Sequence, residues 1–201
     1  MALTSLLRTG AAFALMVFMA SCAGGPGATS KTQYLDMFSG VPQSSSQNLD
    51  TVSYWDGDGI SGPASVVMDL SDQRVYFYKG GTLAGVSAIS SGDEHHTTQT
   101  GNFKIFEKDQ WHKSNLYGDY VDGSGRVVVT NIDQTKDPKP AGTRFEGAKM
   151  HHFMRFNNGI GMHEGFLPGY AASHGCVRMP ARMAEIFYNN VTVGTPVRVQ
   201  P

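Results

Sequence analysis

Cysteine is the residue this chain nearly lacks: of 201 residues only two, Cys22 and Cys176, are cysteine. Two such widely separated thiols cannot build a disulfide framework, and no CxxC pair offers a zinc knuckle. Charge is scarce as well, at 16% of residues with a formal net charge of -1. Without a basic cluster, nothing in the sequence recommends a nucleic-acid partner. No internal repeat is evident. The apolar run Ala11 to Ala20 (AAFALMVFMA) is too short for a bilayer span, which takes about 20 residues, and it ends in small residues as an export signal does.

The end of that run carries a second signal. Met19 to Cys22 (MASC) resembles the lipobox of bacterial lipoproteins, in which the cysteine becomes the acylated first residue of the mature protein. This implies a signal peptide over residues 1–21, lipidation at Cys22, and a chain exported and held to a membrane by its N-terminal lipid. No aspartate stands after Cys22, which fits the outer membrane in a cell that has two. Residues 22–62 are rich in Gly, Ser, Gln, Asp and Thr, lack a sustained apolar period and read as a flexible tether. About forty such residues have a mean reach on the order of 35 Å. Tyr34, Phe38, Tyr54 and Trp55 interrupt that composition and are candidates to pack back on the domain.

Residues 63–201 are enough for one domain. Its texture is mostly β, with short runs rich in Val, Tyr, Phe and Ile at Ser65–Leu70, Arg74–Gly81, Thr82–Ser90, Gly101–Lys108, Arg126–Asn131 and Lys149–Phe156. Lys79-Gly80-Gly81 and Asn157-Asn158-Gly159 are hairpin turns on their residue types. The spacing predicts an antiparallel sandwich or barrel-like domain. One helix is expected over Pro180–Asn189, with proline at its first position and Met183, Ile186 and Phe187 on one face, and Gly194–Val199 closes the domain as a strand.

The chemistry-bearing stretch is Ser173 to Met179 (SHGCVRM). A thiol just ahead of a helix start would meet unpaired amides that favour an anion, so a lowered Cys176 pKa is expected. His163 and His174 are its candidate partners, and Gly175 leaves room beside the sulfur. Bland readings compete. Cys176 alone could be a small buried apolar residue, and His163, His174 and Cys176 could be three zinc ligands. Of His95-His96 and His151-His152, one of each pair is expected at the surface and the other on a strand. Asp93 and Glu94 read as a solvated turn, and Trp111 and His112 as a loop capping the sheet.

SHGCVRM, preceded by MHEG (Met162 to Gly165), resembles the signature of the L,D-transpeptidases, the YkuD-type catalytic domain. DLSDQRVYFYKGG resembles that family's early strands, and TQTGNFKI (Thr98 to Ile105) its Thr-Pro-x-Gly-x-Phe segment, with Gln99 in place of proline. GFLPGYAASHGC resembles a short-loop branch. The resemblance implies Cys176 as nucleophile, His163 as its base oriented by the Glu164 carbonyl, and His174 and Gly175 shaping the oxyanion pocket. It further implies Arg178, Ser173 and Tyr170 on the substrate side, with Phe166–Tyr170 as a cover. The implied reaction is acyl transfer through a cysteine thioester on peptidoglycan stem peptides, needing no cofactor and no metal. The acceptor is a second stem or a protein amine, such as that of an envelope lipoprotein. A hydrolase of the same fold (an L,D-carboxypeptidase or a lipoprotein-releasing amidase) and a non-enzymatic wall-binding lipoprotein are the alternatives.

Overall fold

A computed structural model describes residues 50–201; Cys22, the signal segment and most of the tether lie outside the described residues. Thirteen strands and one helix succeed one another along the described residues. The first three long strands form a meander: β2 (Ala64–Asp69), β3 (Arg74–Lys79) and β4 (Thr82–Ala88). Alternation decides their faces, since Val66, Met68, Val75 and Phe77 point inward and are buried. Gly80 and Gly81 both take positive φ in the two-residue turn between β3 and β4, as a hairpin of that hand requires.

The meander is part of a six-stranded sheet ordered β1-β4-β3-β2-β13-β5, with β1 at Tyr54–Trp55, β5 at Gly101–Lys104 and β13 at Pro196–Gln200. Residues assigned from composition to the tether thus belong to the fold. Trp55 packs edge-on against Phe77 at 5.2 Å between ring centroids. A second sheet runs β12-β11-β10-β6: Val177–Met179, Ile160–Glu164, Phe153–Asn157 and Glu107–Asp109. A third, β8-β7-β9, is formed by Val127–Asp133, Lys113–Val121 and Arg144–Lys149.

Four features depart from the sequence expectations. Two pairings, β13 with β2 and β11 with β12, are parallel in an otherwise antiparallel domain. Gly101–Lys108 is two strands, because the chain leaves the first sheet at buried Ile105 and joins the second. Lys149–Phe156 is also no single strand: His151 and His152 sit in the connection between β9 and β10, with His152 at φ 55°. Strand alternation therefore does not govern which of the two histidines is inside. Finally, β12 intervenes between Cys176 and the helix α1 (Ala181–Asn190), for which Pro180 is the N-cap.

The core is one cluster shared by the first two sheets and the helix: Val66, Met68, Phe77, Met154, Met162, Val177, Met179, Met183 and Phe187 all belong to it. Phe187 touches Phe77 edge-on at 4.9 Å and Trp55 at 6.4 Å, tying α1 to the six-stranded sheet. Lys108 closes the helix from the other end by donating to the carbonyls of Tyr188 and Val191 at 2.6 and 2.8 Å, where a cation is favoured. Removing a buried aromatic at this junction leaves a cavity that neither sheet can fill. Phe187→Ala is expected to cost about 3 to 5 kcal/mol, read as a lowered urea midpoint at unchanged slope.

Candidate active site

Strand register assembles the site. Across the second sheet, Arg155 pairs with Gly161, Met154 with Met162, and in the parallel pair Met162 with Val177 and His163 with Arg178. Met154, Met162, Val177 and Met179 face the core. The other face therefore carries two adjacent rows: Asp109, Phe153, His163 and Arg178 in one, and Glu107, Arg155 and Gly161 in the next. Cys176 immediately precedes β12, and the Gly161 N–H, two residues along β11 from His163, bonds its sulfur. Glycine is required at Gly161. A Cβ there would stand 2.6 Å from the Phe153 ring.

His163 is 1% exposed. Its Nδ1 lies 2.7 Å from the Glu164 carbonyl oxygen, which can only accept, so Nδ1 carries the proton of the neutral ring and Nε2 the lone pair. Nε2 is buried and has no hydrogen-bond partner among the described residues. Burial lowers the His163 pKa to about 3, with the Glu164 carbonyl opposing and the Arg178 charge adding to the shift. The ring is neutral at neutral pH.

The thiol behaves differently from the sequence expectation. Three residues of strand separate Cys176 from α1, so the sulfur is not at the helix start. Burial raises its pKa above the ordinary value, against a hydrogen bond from the Gly161 N–H and the charges of Arg155 and Arg178. The thiol points to the Gly159 carbonyl at 3.7 Å. A neutral thiol beside a neutral imidazole is the resting arrangement.

The loop that carries Cys176 is held from within and from a neighbouring segment. Ser173 is buried, and its hydroxyl accepts from the Gly175 N–H at 3.1 Å and donates to the Cys176 carbonyl. That hydroxyl braces the loop from within. Gly175 is glycine for its φ of 108°, since a Cβ there would meet only ordinary contacts at 3.6 Å and beyond. Arg178 is 2% exposed and donates from Nη2 to the Ala172 carbonyl at 3.1 Å. Tyr170, 63% exposed, presents its ring outward, while its carbonyl accepts from the Ser90 hydroxyl.

Residues 90–98 run alongside that loop. Ser90 exchanges backbone hydrogen bonds with Arg178, and Asp93 N–H donates to the Ser173 carbonyl, each at 3.0 Å. Thr98, from TQTGNFKI, donates to the Gly175 carbonyl at 2.8 Å and accepts from Gly92 N–H at 2.9 Å. Gly92 admits no side chain, for its Cβ would fall 2.0 Å from the His96 carbonyl oxygen. Asp93 is no mere solvated turn, since it bonds His96, whereas Glu94 and His95 are exposed. His96 touches the His174 ring at 4.8 Å, and Tyr117 of β7 stacks on the same ring at 4.3 Å. Burial lowers the His174 pKa, with the His96 and Arg178 charges adding.

Sequence reading missed Tyr117, Arg155, Thr98 and His96. Only the strand register and the course of the 90–98 segment reveal them. His112 stacks on Phe153 at 4.2 Å and bonds Asp109, behind His163, and exposed Trp111 meets His151 edge-on. Among the described residues no group of three or more His, Cys, Asp and Glu side chains is arranged to hold a metal ion, so His163, His174 and Cys176 do not form such a set.

Residues 63–199 match the family model described as YkuD, the L,D-transpeptidase catalytic domain. Among solved structures, an L,D-transpeptidase from Stackebrandtia nassauensis is similar at a TM-score of 0.51 and 20% identity, over 79% of this chain and 62% of the other. One from Enterococcus faecium gives 0.51 and 22%, over 70% and 50% of the two chains, and one from Xylanimonas cellulosilytica 0.51 and 22%, over 73% and 65%. At these identities the likeness is one of fold, and this chain spans less than two thirds of those proteins' length. No curated protein matches the chain. With more than half of its length matched by the family model, the chain belongs to the L,D-transpeptidase catalytic domain family.

Proposed function

We propose that the protein is a cysteine-dependent L,D-transpeptidase acting on peptidoglycan stem peptides in the cell envelope, anchored there by lipid on Cys22. The observation that carries the chemistry is the Cys176 sulfur on the Gly161 N–H, two residues along β11 from His163, with His163 Nε2 unpartnered and its Nδ1 proton fixed on the Glu164 carbonyl. Both groups start neutral. The Cys176 proton passes to His163 Nε2 as the sulfur attacks the amide carbon before D-Ala. When the C–N bond breaks, Nε2 returns that proton to the departing D-Ala amine and a thioester is left on Cys176. An acceptor amine then attacks the thioester, gives its proton to Nε2, and the sulfur leaves and recovers it. His174 and Gly175 shape the pocket around the developing oxyanion, Arg178 supports the loop, and Tyr170 on the Phe166–Tyr170 cover contacts substrate. Excluding water there lets an amine compete for the thioester.

The test incubates the purified full-length chain, with Cys176→Ala as control, with a disaccharide tetrapeptide and resolves products by mass spectrometry. Cross-linked dimers and released D-Ala, absent from the control, are expected. Shortened monomers alone would replace transfer by hydrolysis, and no product would remove the activity. A protein amine as acceptor is tested by adding an envelope lipoprotein and looking for a stem peptide on it. Acyl chains on the N-terminal peptide beginning at Cys22, sought by mass spectrometry of membrane-extracted protein, test the anchor.

A further inference from the structure

The 90–98 segment carries one feature that the acyl-transfer chemistry does not use. Its backbone is tied to the thiol loop through Ser90, Ser91 and Asp93, whose N–H donates to the Ser173 carbonyl, and further along the Thr98 hydroxyl donates to the Gly175 carbonyl. Between those ties a side-chain pair reaches the same loop. One oxygen of Asp93 accepts from the backbone amides of His95 and His96 at 2.9 and 2.8 Å and lies 3.0 Å from His96 Nδ1. His96 cannot swing away while that oxygen holds both its main chain and its ring. Its ring meets His174 at 62°, and on His174 the Tyr117 ring lies nearly parallel, at 20°. An imidazole held by a stacked ring and by an edge contact has little freedom to turn about its own side-chain bonds.

We propose that Asp93 and His96 are a positioning pair that fixes the His174 imidazole at the thiol loop and so sets the rate of the step at Cys176 without touching substrate. This rests on the reading of Cys176 as nucleophile. Because the backbone ties are separate from the His96 side chain, that side chain can be exchanged while the segment stays in place. The pair is also an electrostatic element. His174 is faced by His96 and Asp93 from the 90–98 segment, by Tyr117 from β7, by Asp133 from β8 and by Arg178 from β12. Of these, His96 and Arg178 oppose its protonation, and Asp93 and Asp133 favour it.

The experiment compares His96→Ala, His96→Phe and Asp93→Asn with the wild-type full-length chain, by steady-state kinetics on the disaccharide tetrapeptide and by the rate at which iodoacetamide alkylates Cys176. Misplacement of a group at a reacting centre costs up to about 100-fold, so His96→Ala is expected to lower kcat by about 10- to 100-fold with KM nearly unchanged. His96→Phe, which keeps a ring against His174, is expected to recover much of that loss above neutral pH. Asp93→Asn should fall between wild type and His96→Ala. The pairing would be overturned by kcat in His96→Ala equal to wild type, or by equal losses in the Ala and Phe variants. If wild type and Cys176→Ala were alike inactive on the stem peptide, the failure would lie with the proposed substrate. Alkylation of Cys176 then carries the same comparison: slower in His96→Ala than in His96→Phe supports the pair, and equal rates across all variants overturn it.

Discussion

Cys176→Ala is expected to lower turnover by roughly 10⁴-fold or more while leaving the unfolding temperature close to that of wild type. The two halves of this expectation have separate causes. Structurally the sulfur contributes little: its hydrogen bond to the Gly159 carbonyl is long at 3.7 Å, and the loop is held instead by Ser173, Thr98, Asp93 and Arg178. Chemically it is the one thiol among the described residues, and no covalent intermediate can form without it. Cys176→Ser sharpens the point. A hydroxyl at the same place has a far higher pKa than a thiol, and His163, neutral and reluctant to accept a proton, is a poor base for it. Substantial turnover by either variant would sink the covalent route. Because burial raises the thiol pKa, alkylation of wild-type Cys176 is also expected to keep accelerating with pH beyond neutrality, instead of levelling off as it would for a thiolate already formed. A plateau below neutrality would mean the resting site is an ion pair.

The contrast between that thiol and its sequence-level expectation shows where sequence reading stops. The residue pattern SHGC and the apolar face of α1 are both legible, because each is local. Between them stands β12, whose three residues Val177–Met179 pair with β11 in parallel. Parallel pairing is a non-local property of chain course, and nothing in a short apolar run announces it. The same pairing brings Cys176, just ahead of β12, to the Gly161 N–H of the strand that carries His163, so the feature that withdraws the helix start from the sulfur is the one that supplies its neighbour. The hairpins at Gly80-Gly81 and Asn158 are legible because positive φ selects those residue types. His151 and His152 resemble strand residues in sequence because their apolar flanks, Met150 and Phe153, look like parts of one run. Tyr117 and His96 lie far apart in sequence, and each gains its place at His174 only through the course of the folded chain.

The second large effect concerns His163. His163→Gln is expected to reduce kcat/KM by about 10²- to 10⁴-fold, the range for a lost general base. Glutamine can still donate toward the Glu164 carbonyl, so the geometry of β11 should survive where alanine would leave a hole against Phe153. The same substitution should alter how stability depends on pH, with a sign set by burial. In the folded protein His163 has a pKa of about 3, against 6.5 for an ordinary histidine, chiefly because burial disfavours its charged form. Between those values the unfolded chain holds a proton on this ring and the folded chain does not. The unfolded state therefore binds more protons, and stability falls as pH drops through that window. Above pH 6.5 neither state is charged and the contribution is constant; by pH 3 the accumulated loss is on the order of 5 kcal/mol. Urea midpoints measured from pH 7 to pH 3 should thus decline more steeply in wild type than in His163→Gln. Parallel declines would mean that His163 is charged in the folded protein. That means an ordinary pKa near 6.5; below it an imidazolium could not receive the Cys176 proton, and kcat/KM would fall through an acid limb there.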